Sequence, residues 1–377
     1  MNKYRNILAH SLVNIGHVVL VTGALALLRQ ACPGARITML VRPDVAGLLS
    51  DHPIIDEFLV FDYKGHDRSL ARQLRFLREI RKRRFDLAIS FDTKLRPALL
   101  ARLAGIPTRV IPKRVFDNKP TRLGWLYTHV VKAPFDIVNN LQAETYQEII
   151  RQFFGIEGKA KPAIGRLTAG DRAKAAALLT ELPVGPPRVA LCMKTTHALK
   201  DWPVEYFAKL IDMLHARTGA GFMLIGTPGQ RTCADRVPAM TNAPVVNLCG
   251  KTTLKELAAL METSDLLISG CTGTVHIAAT TAVPTVVLYG CSSPKRWAPL
   301  NPNASTISRE PPCCPCSKQE DECDMRLCLR KIRPEEVCLA ALASLEAAQK
   351  SPRWVHENDM FNAGPDSCSR RTGNVDA

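Results

Sequence analysis

Three stretches of this chain place chemically able side chains at what read as strand-to-helix connections, two of them beside glycine. The first is Asn14-Ile15-Gly16-His17. Gly16 allows close approach of backbone or ligand, and the start of a helix favours anionic groups. An imidazole at such a turn can take a proton from a hydroxyl near neutral pH. The other reading of His17 is a polar turn residue without a role. The second stretch is Met193-Lys194-Thr195-Thr196-His197-Ala198-Leu199-Lys200-Asp201-Trp202-Pro203. It is a polar loop closed by Trp-Pro at a helix start, and Lys194 and Lys200 have the charge to neutralise a diphosphate. The third is Ser269-Gly270-Cys271-Thr272-Gly273-Thr274-Val275-His276. Small residues there expose backbone N–H groups and Thr272 and Thr274 add hydroxyls, which makes an anion site. His276 sits one helical turn further, as a ligand contact or a core histidine. The segment lacks the Gly-Lys-Ser/Thr of a phosphate loop, which argues against an ATPase.

A fourth group is Cys313, Cys316, Cys323 and Cys328. Four close thiolates suit a tetrahedral structural Zn or Fe site, and reduced cysteines in a compact loop are the alternative.

The elements that must position these groups alternate short apolar strands with longer amphipathic stretches. Strands are expected at 6–12, 36–41, 57–61 and 86–90, with helices at 17–30 and 67–84, where Leu70, Leu74, Leu77 and Ile80 recur at helical spacing. The pattern repeats later, with strands at 188–193, 221–225, 245–248, 265–269 and 285–289 and helices at 204–218, 253–263 and 275–281. Such alternation means an α/β protein with parallel sheets covered by helices on both faces. The Gly, Pro and Lys cluster near 155–187 separates two Rossmann-like units. The expected division is a first domain at 1–165, a linker at 166–187, a second domain at 188–348 and a disordered polar tail at 349–377. In such folds ligands bind at the carboxyl ends of the strands, in the cleft between the domains.

The 377 residues are enough for two domains. The net charge of +15 is one-sided: residues 1–180 hold 29 Lys and Arg against 15 Asp and Glu, whereas residues 181–377 hold 21 against 20. A basic first half suits an anionic partner, a phosphorylated sugar or an anionic membrane surface. The arginines of the 67–84 helix form either a solvated face or a basic flank for that partner. No helix-turn-helix, finger or aromatic platform supports nucleic-acid binding. The apolar stretch 7–28 is interrupted by His10, Ser11, Asn14, Gly16 and His17, with no small-residue cleavage site after it. A cytoplasmic protein with mostly reduced or metal-bound cysteines is expected.

Taken together, the motifs resemble glycosyltransferase family 9, the ADP-heptose:lipopolysaccharide heptosyltransferases. The resemblance runs from about Asn6 to Leu345. It rests on the 14–22 turn, Ala104-Gly105-Ile106-Pro107-Thr108-Arg109, Lys200-x-Trp202-Pro203 and Thr272-Gly273-x-x-His276-x-Ala-Ala. It rests also on Val283-Pro284 and Tyr289-Gly290 with Ser-Pro-x-Arg-Trp after it, and on Cys-x-Pro-Cys followed by Ile332-x-Pro-Glu-Glu-Val337. The resemblance implies a GT-B fold with two Rossmann-like domains facing each other across a cleft, the first binding acceptor and the second ADP-sugar. It implies an inverting single displacement that needs no catalytic cofactor, with Lys200 steadying the leaving diphosphate. Donor contacts then fall to Lys194, Thr195, Lys200, Trp202, Gln230, Cys271, Thr272, Gly273, Thr274 and His276, and acceptor contacts to Asn14, Gly16 and Arg109. The implied acceptor is a phosphorylated lipopolysaccharide core at the inner face of the inner membrane.

Three positions depart from the family. His17 stands where an acid usually follows the first glycine, Cys271 where an Asp usually precedes Thr-Gly, and Gln230 where a Glu often follows the donor-domain glycine turn. Each removes a carboxylate from the expected cleft. They leave open another nucleotide sugar, a protein acceptor, or a degenerate member that binds nucleotide or scaffolds an assembly.

Overall fold

The computed structural model describes residues 3–114, 121–132, 139–183, 185–314, 316, 323 and 326–350. Of the tail expected at 349–377, residues 349 and 350 close the last helix, and the rest lies outside the described residues. In the first half, β1 (Asn6–His10), α1 (Ile15–Ala31), β2 (Arg36–Val41), α2 (Pro43–Leu49) and β3 (Glu57–Val60) are followed by α3 (Leu70–Lys82), β4 (Leu87–Ser90), α4 (Leu95–Leu103), β5 (Thr108–Pro112), β6 (His129–Val131) and α5 (Gln142–Phe154). The six strands are parallel, in the order β3-β2-β1-β4-β5-β6.

After α6 (Ala169–Leu179) the second half repeats the plan. Its elements are β7 (Arg188–Cys192), α7 (Val204–Thr218), β8 (Gly221–Leu224), α8 (Arg231–Ala234), β9 (Val245–Asn247), α9 (Leu254–Thr263), β10 (Leu266–Gly270), α10 (Gly273–Ala278), β11 (Thr285–Tyr289), α11 (Pro294–Trp297), β12 (Ala304–Ser308), α12 (Leu327–Arg330) and α13 (Pro334–Lys350). Its sheet, β12-β11-β10-β7-β8-β9, is parallel and has the same winding. This is the two-domain α/β architecture that the strand–helix alternation predicts.

The central strands are largely apolar because both of their faces are covered. Ile7, Ile37, Met39, Leu87 and Ile89 on one sheet, and Val189, Leu191, Phe222, Leu224 and Ile268 on the other, are inaccessible to solvent. The apolar run that could pass for a membrane segment is β1 and α1. α1 is buried on nearly every side, and no helix among the described residues is long and apolar enough to cross a membrane. Some helix starts are closed by side chains. Thr168 with Asp171 and Thr253 with Glu256 form capping boxes at α6 and α9. α5 and α7 stop where Gly155 and Gly219 take left-handed conformations. α6, in the stretch expected as linker, packs on α9.

In each sheet the winding reverses beside the first strand, between β1 and β4 and between β7 and β10. A crevice opens at the carboxyl ends of those strands. Both crevices face each other, and the three stretches singled out in the sequence line them.

Candidate active site

A cavity of about 860 Å³ lies between the two switch points. From the first domain it is lined by Asn14, Gly16 and His17 at the start of α1 and by Arg42 and Asp44 at the start of α2. From the second domain come the loop after β7 (Lys194, Thr195, Lys200), the turn after β8 (Gly226–Gln230), and the start of α10 (Cys271–Thr274, His276). Neither Asn14 at α1 nor Thr272 at α10 caps its helix with its side chain. The first N–H groups of both helices therefore lack the side-chain acceptor that α6 and α9 have.

The domains touch backbone to backbone at this point. A Cβ built on Gly16 would lie 2.8 Å from His276 Cδ2 and 3.2 Å from Gly273 Cα, and one on Gly273 would lie 3.2 Å from the Gly16 nitrogen. No side chain fits between the two helix starts, which explains glycine in both turns.

His17 projects from the first turn of α1. Its Nδ1 lies 2.8 Å from the Tyr146 hydroxyl on α5. The Trp297 ring packs edge-on at 4.9 Å between centroids. Burial, together with His276, Arg296, Lys200 and Lys94 nearby, lowers its pKa to about 3, so the ring is neutral at pH 7. His276 is buried and also neutral, its pKa lowered to about 4 by desolvation, and its Nδ1 has no hydrogen-bond partner among the described residues. Such a buried polar atom is costly unless a ligand or water meets it.

The two lysines differ. Lys194 Nζ is 3.0 Å from Asp201, which also accepts from the Thr195 backbone at 2.8 Å. Asp201 thereby shapes the loop and neutralises one lysine. Lys200 has no carboxylate partner among the described residues, and its charge bears on His17, Cys271 and Cys291. It is the better placed cation for an anionic ligand.

Cys271 is buried, and desolvation raises its pKa, so it stays a neutral thiol. The Cys192 thiol, 3.8 Å from the Thr274 hydroxyl, is a second one on the same wall. Gln230 lines the cavity, with its Oε1 accepting from the Thr227 backbone at 2.9 Å.

Three expectations from the sequence are corrected. Trp202 is not on the cavity wall. It is buried in the second domain's core, its Nε1 donating to the Ile332 carbonyl at 3.0 Å, so it ties the loop to the segment before α13. Arg109 lies near the amino end of β5, away from the cleft, and its guanidinium donates to the carbonyls of Leu126 and Ile106. It holds a loop. Cys313, Cys316, Cys323 and Cys328 do not assemble: among the described residues no three His, Cys, Asp or Glu side chains are placed to hold a metal ion. Cys313 is exposed, whereas buried Cys328 shares a hydrogen bond with Cys314.

The structure adds residues to which the sequence gave no role. Arg296, just before Trp297, crosses from the second domain to Gln142 Oε1 on α5, at 3.1 and 2.9 Å. Gln142 lies one turn before Tyr146. Asp92, after β4, accepts from the backbones of Leu12 and Lys94 at 2.7 and 2.8 Å and so binds the β1 and β4 turns together. On a sequence Tyr146 reads as one more core position of an amphipathic helix. The Arg-Trp pair lay inside a motif, but nothing in its spacing says which helix it meets.

With this geometry in view, the comparisons with known proteins decide the family. The model of glycosyltransferase family 9 (heptosyltransferase) matches residues 73–326. The chain belongs to glycosyltransferase family 9. Among the family's curated members, the lipopolysaccharide core heptosyltransferase OpsX of Haemophilus influenzae is 25% identical over 287 residues, 74% of this chain and 78% of that one. Of solved structures, the family 9 glycosyltransferase of Veillonella parvula superposes with a TM-score of 0.80 at 23% identity, covering 91% of this chain and 98% of that one. The Escherichia coli heptosyltransferase WaaC with ADP does so with a TM-score of 0.68 at 19% identity, covering 90% and 99%. These likenesses confirm the two-domain GT-B fold, and the family makes the chain a glycosyltransferase.

Proposed function

We propose that this chain transfers heptose from ADP-heptose to a phosphorylated lipopolysaccharide core acceptor, with inversion. The observation that carries this reading is the meeting of Lys200, the start of α10 and His17 in one cavity at facing switch points. An anionic leaving group and a hydroxyl nucleophile need a cation with backbone N–H donors on one side and a neutral base on the other. The names of OpsX and of WaaC with ADP support the donor and acceptor classes.

The acceptor oxygen forms a bond to the anomeric carbon as the bond to the β-phosphate oxygen breaks. The electron pair leaves on ADP, whose charge falls to Lys200 and the α10 N–H groups. With Nδ1 of His17 engaged by Tyr146, the hydroxyl proton goes to Nε2. Burial makes His17 a weak base, with a pKa near 3, and the charges of Arg296, Lys200 and Lys94 nearby lower it further. A bound diphosphate offsets that charge and raises the basicity of His17 when the acceptor is to be attacked. Donor binding thus primes the base. Catalysis needs no cofactor in this reading, and the enzyme works in the cytoplasm against the inner face of the inner membrane.

Cys271 supports a second reading, a donor sugar other than heptose. A buried thiol is a poor acceptor for sugar hydroxyls compared with a carboxylate. Calorimetry with ADP, UDP, GDP and CMP separates these. Selective ADP binding is expected. Preference for UDP or GDP keeps the reaction type and replaces the sugar, and no nucleotide binding leaves a scaffolding member of the family.

A further inference from the structure

The first half's excess of basic residues has a definite location. α3 buries Phe76, Leu77 and Ile80 against the sheet, yet Leu70 and Leu74 are 73% and 45% exposed. Leu70, Leu74 and Arg78 follow at i, i+4 and i+8 and form one exposed stripe, with Arg75 beside it. Leu95, 49% exposed, opens the neighbouring helix α4. Arg96 lies over the Tyr63 ring at 5.0 Å and bridges the start of α4 to the connection between β3 and α3. Exposed leucines and cations thus share one rim, at the carboxyl edge of the first sheet.

The acids of this rim are turned to local use. Asp62 accepts from the backbones of Gly65 and His66, Asp67 from that of Asp62, and Glu79 pairs with Arg83. Arg68, Arg75 and Arg78 have no carboxylate partner among the described residues. A solvated helix face accounts for the arginines but not for two leucines left in water one turn apart.

We propose that this rim, the exposed stripe of α3 with the start of α4, docks the protein on an anionic lipid bilayer. Leucines enter the interface while arginines meet the headgroups, the arrangement of interfacial amphipathic helices. Charge complementarity selects the bilayer as occupant over an apolar protein surface. The place of the rim gives docking a use. Lys94, whose charge reaches His17, precedes the exposed Leu95 and Arg96 directly. A lipid-borne acceptor at this edge is one loop from the base. The purpose rests on the proposed function, but the binding does not.

The test is co-sedimentation of the full chain with phosphatidylcholine vesicles, with and without phosphatidylglycerol and free of lipopolysaccharide. Binding is expected only to vesicles containing phosphatidylglycerol, and less of it in high salt. Leu70→Ser with Leu74→Ser, and separately Arg75→Glu with Arg78→Glu, should each lower partitioning roughly tenfold. Leu339→Ser, at an exposed leucine of α13, should leave it unchanged. Thermal midpoints of all variants show that they fold. Equal binding to neutral vesicles, no binding to either kind of vesicle, or equal loss in Leu339→Ser overturns the assignment. Vesicle binding without ADP binding would sink the proposed donor and leave this surface standing.

Discussion

The Tyr146 hydroxyl, buried on α5, holds Nδ1 of His17 at 2.8 Å and so fixes which ring nitrogen faces the cavity. Tyr146→Phe should lower kcat by about tenfold with the donor Kd within twofold, because orientation is lost and the ring remains. His17→Ala should cost about a hundredfold or more in kcat, again with little change in donor affinity. Steady-state kinetics beside ADP calorimetry reads both. Unchanged turnover in His17→Ala removes it from the mechanism.

Lys194 and Lys200 look alike in sequence and differ in the structure. Since Asp201 already neutralises Lys194, Lys200→Ala should weaken ADP binding by about 1.5–3 kcal/mol, the range of a charge-assisted hydrogen bond. Lys194→Ala should cost clearly less. Equal losses by calorimetry would show that Asp201 releases Lys194 on binding.

A methyl group at residue 16 has nowhere to go. Gly16→Ala should destabilise by about 1–3 kcal/mol, as overpacking does. Gly34→Ala is the control, for nothing lies within 4 Å of its Cβ position. Chemical denaturation of the two variants checks this, with equal midpoints as the contrary result.

Buried His52 and His276 have pKa values lowered to about 4, and that of fully buried His10 is lowered as well, by desolvation in each case. A histidine that resists protonation in the folded state binds its proton first in the unfolded one. Stability from these groups is therefore complete above the unfolded value near 6.5 and is lost as pH falls from there towards 4. His52 and His276 each contribute a slope on the order of 1 kcal/mol per pH unit in that window. Thermal midpoints between about pH 7.5 and 4.5, which span most of this window, should fall steadily. A flat profile would mean that the rings have water or carboxylate partners.

Trp202 shows how far the sequence could be read. Its place in Lys200-x-Trp202-Pro203 marks the donor loop correctly, but not which way the indole points. The structure turns it into the core. Trp202→Phe should therefore cost about 1–3 kcal/mol of stability, for the unsatisfied Ile332 carbonyl, and leave ADP affinity unchanged.

The same limit applies more widely. Alternating strands and helices announced both sheets, because periodicity is local. The glycine turns announced the switch points, because ligand-binding turns need glycine and small polar residues. Partnerships between distant segments left no mark: Tyr146 with His17 spans 129 positions, and Arg296 with Gln142 spans 154. Nor could spacing tell that Arg109 lies at the far end of its strand, or that Cys328 meets Cys314 instead of Cys313.

The glycine contact between α1 and α10 has one more consequence. Two bodies that touch backbone to backbone pivot most easily about that contact. Points close to Gly16 and Gly273 barely separate under rotation, while those far from them travel. The base and the anion-binding helix start sit at this fulcrum and keep their spacing through any opening of the cleft. On its other side the seam is held by α2 on α9, with Lys255 Nζ 3.5 Å from Asp51, so an opening of the cleft has that contact to break.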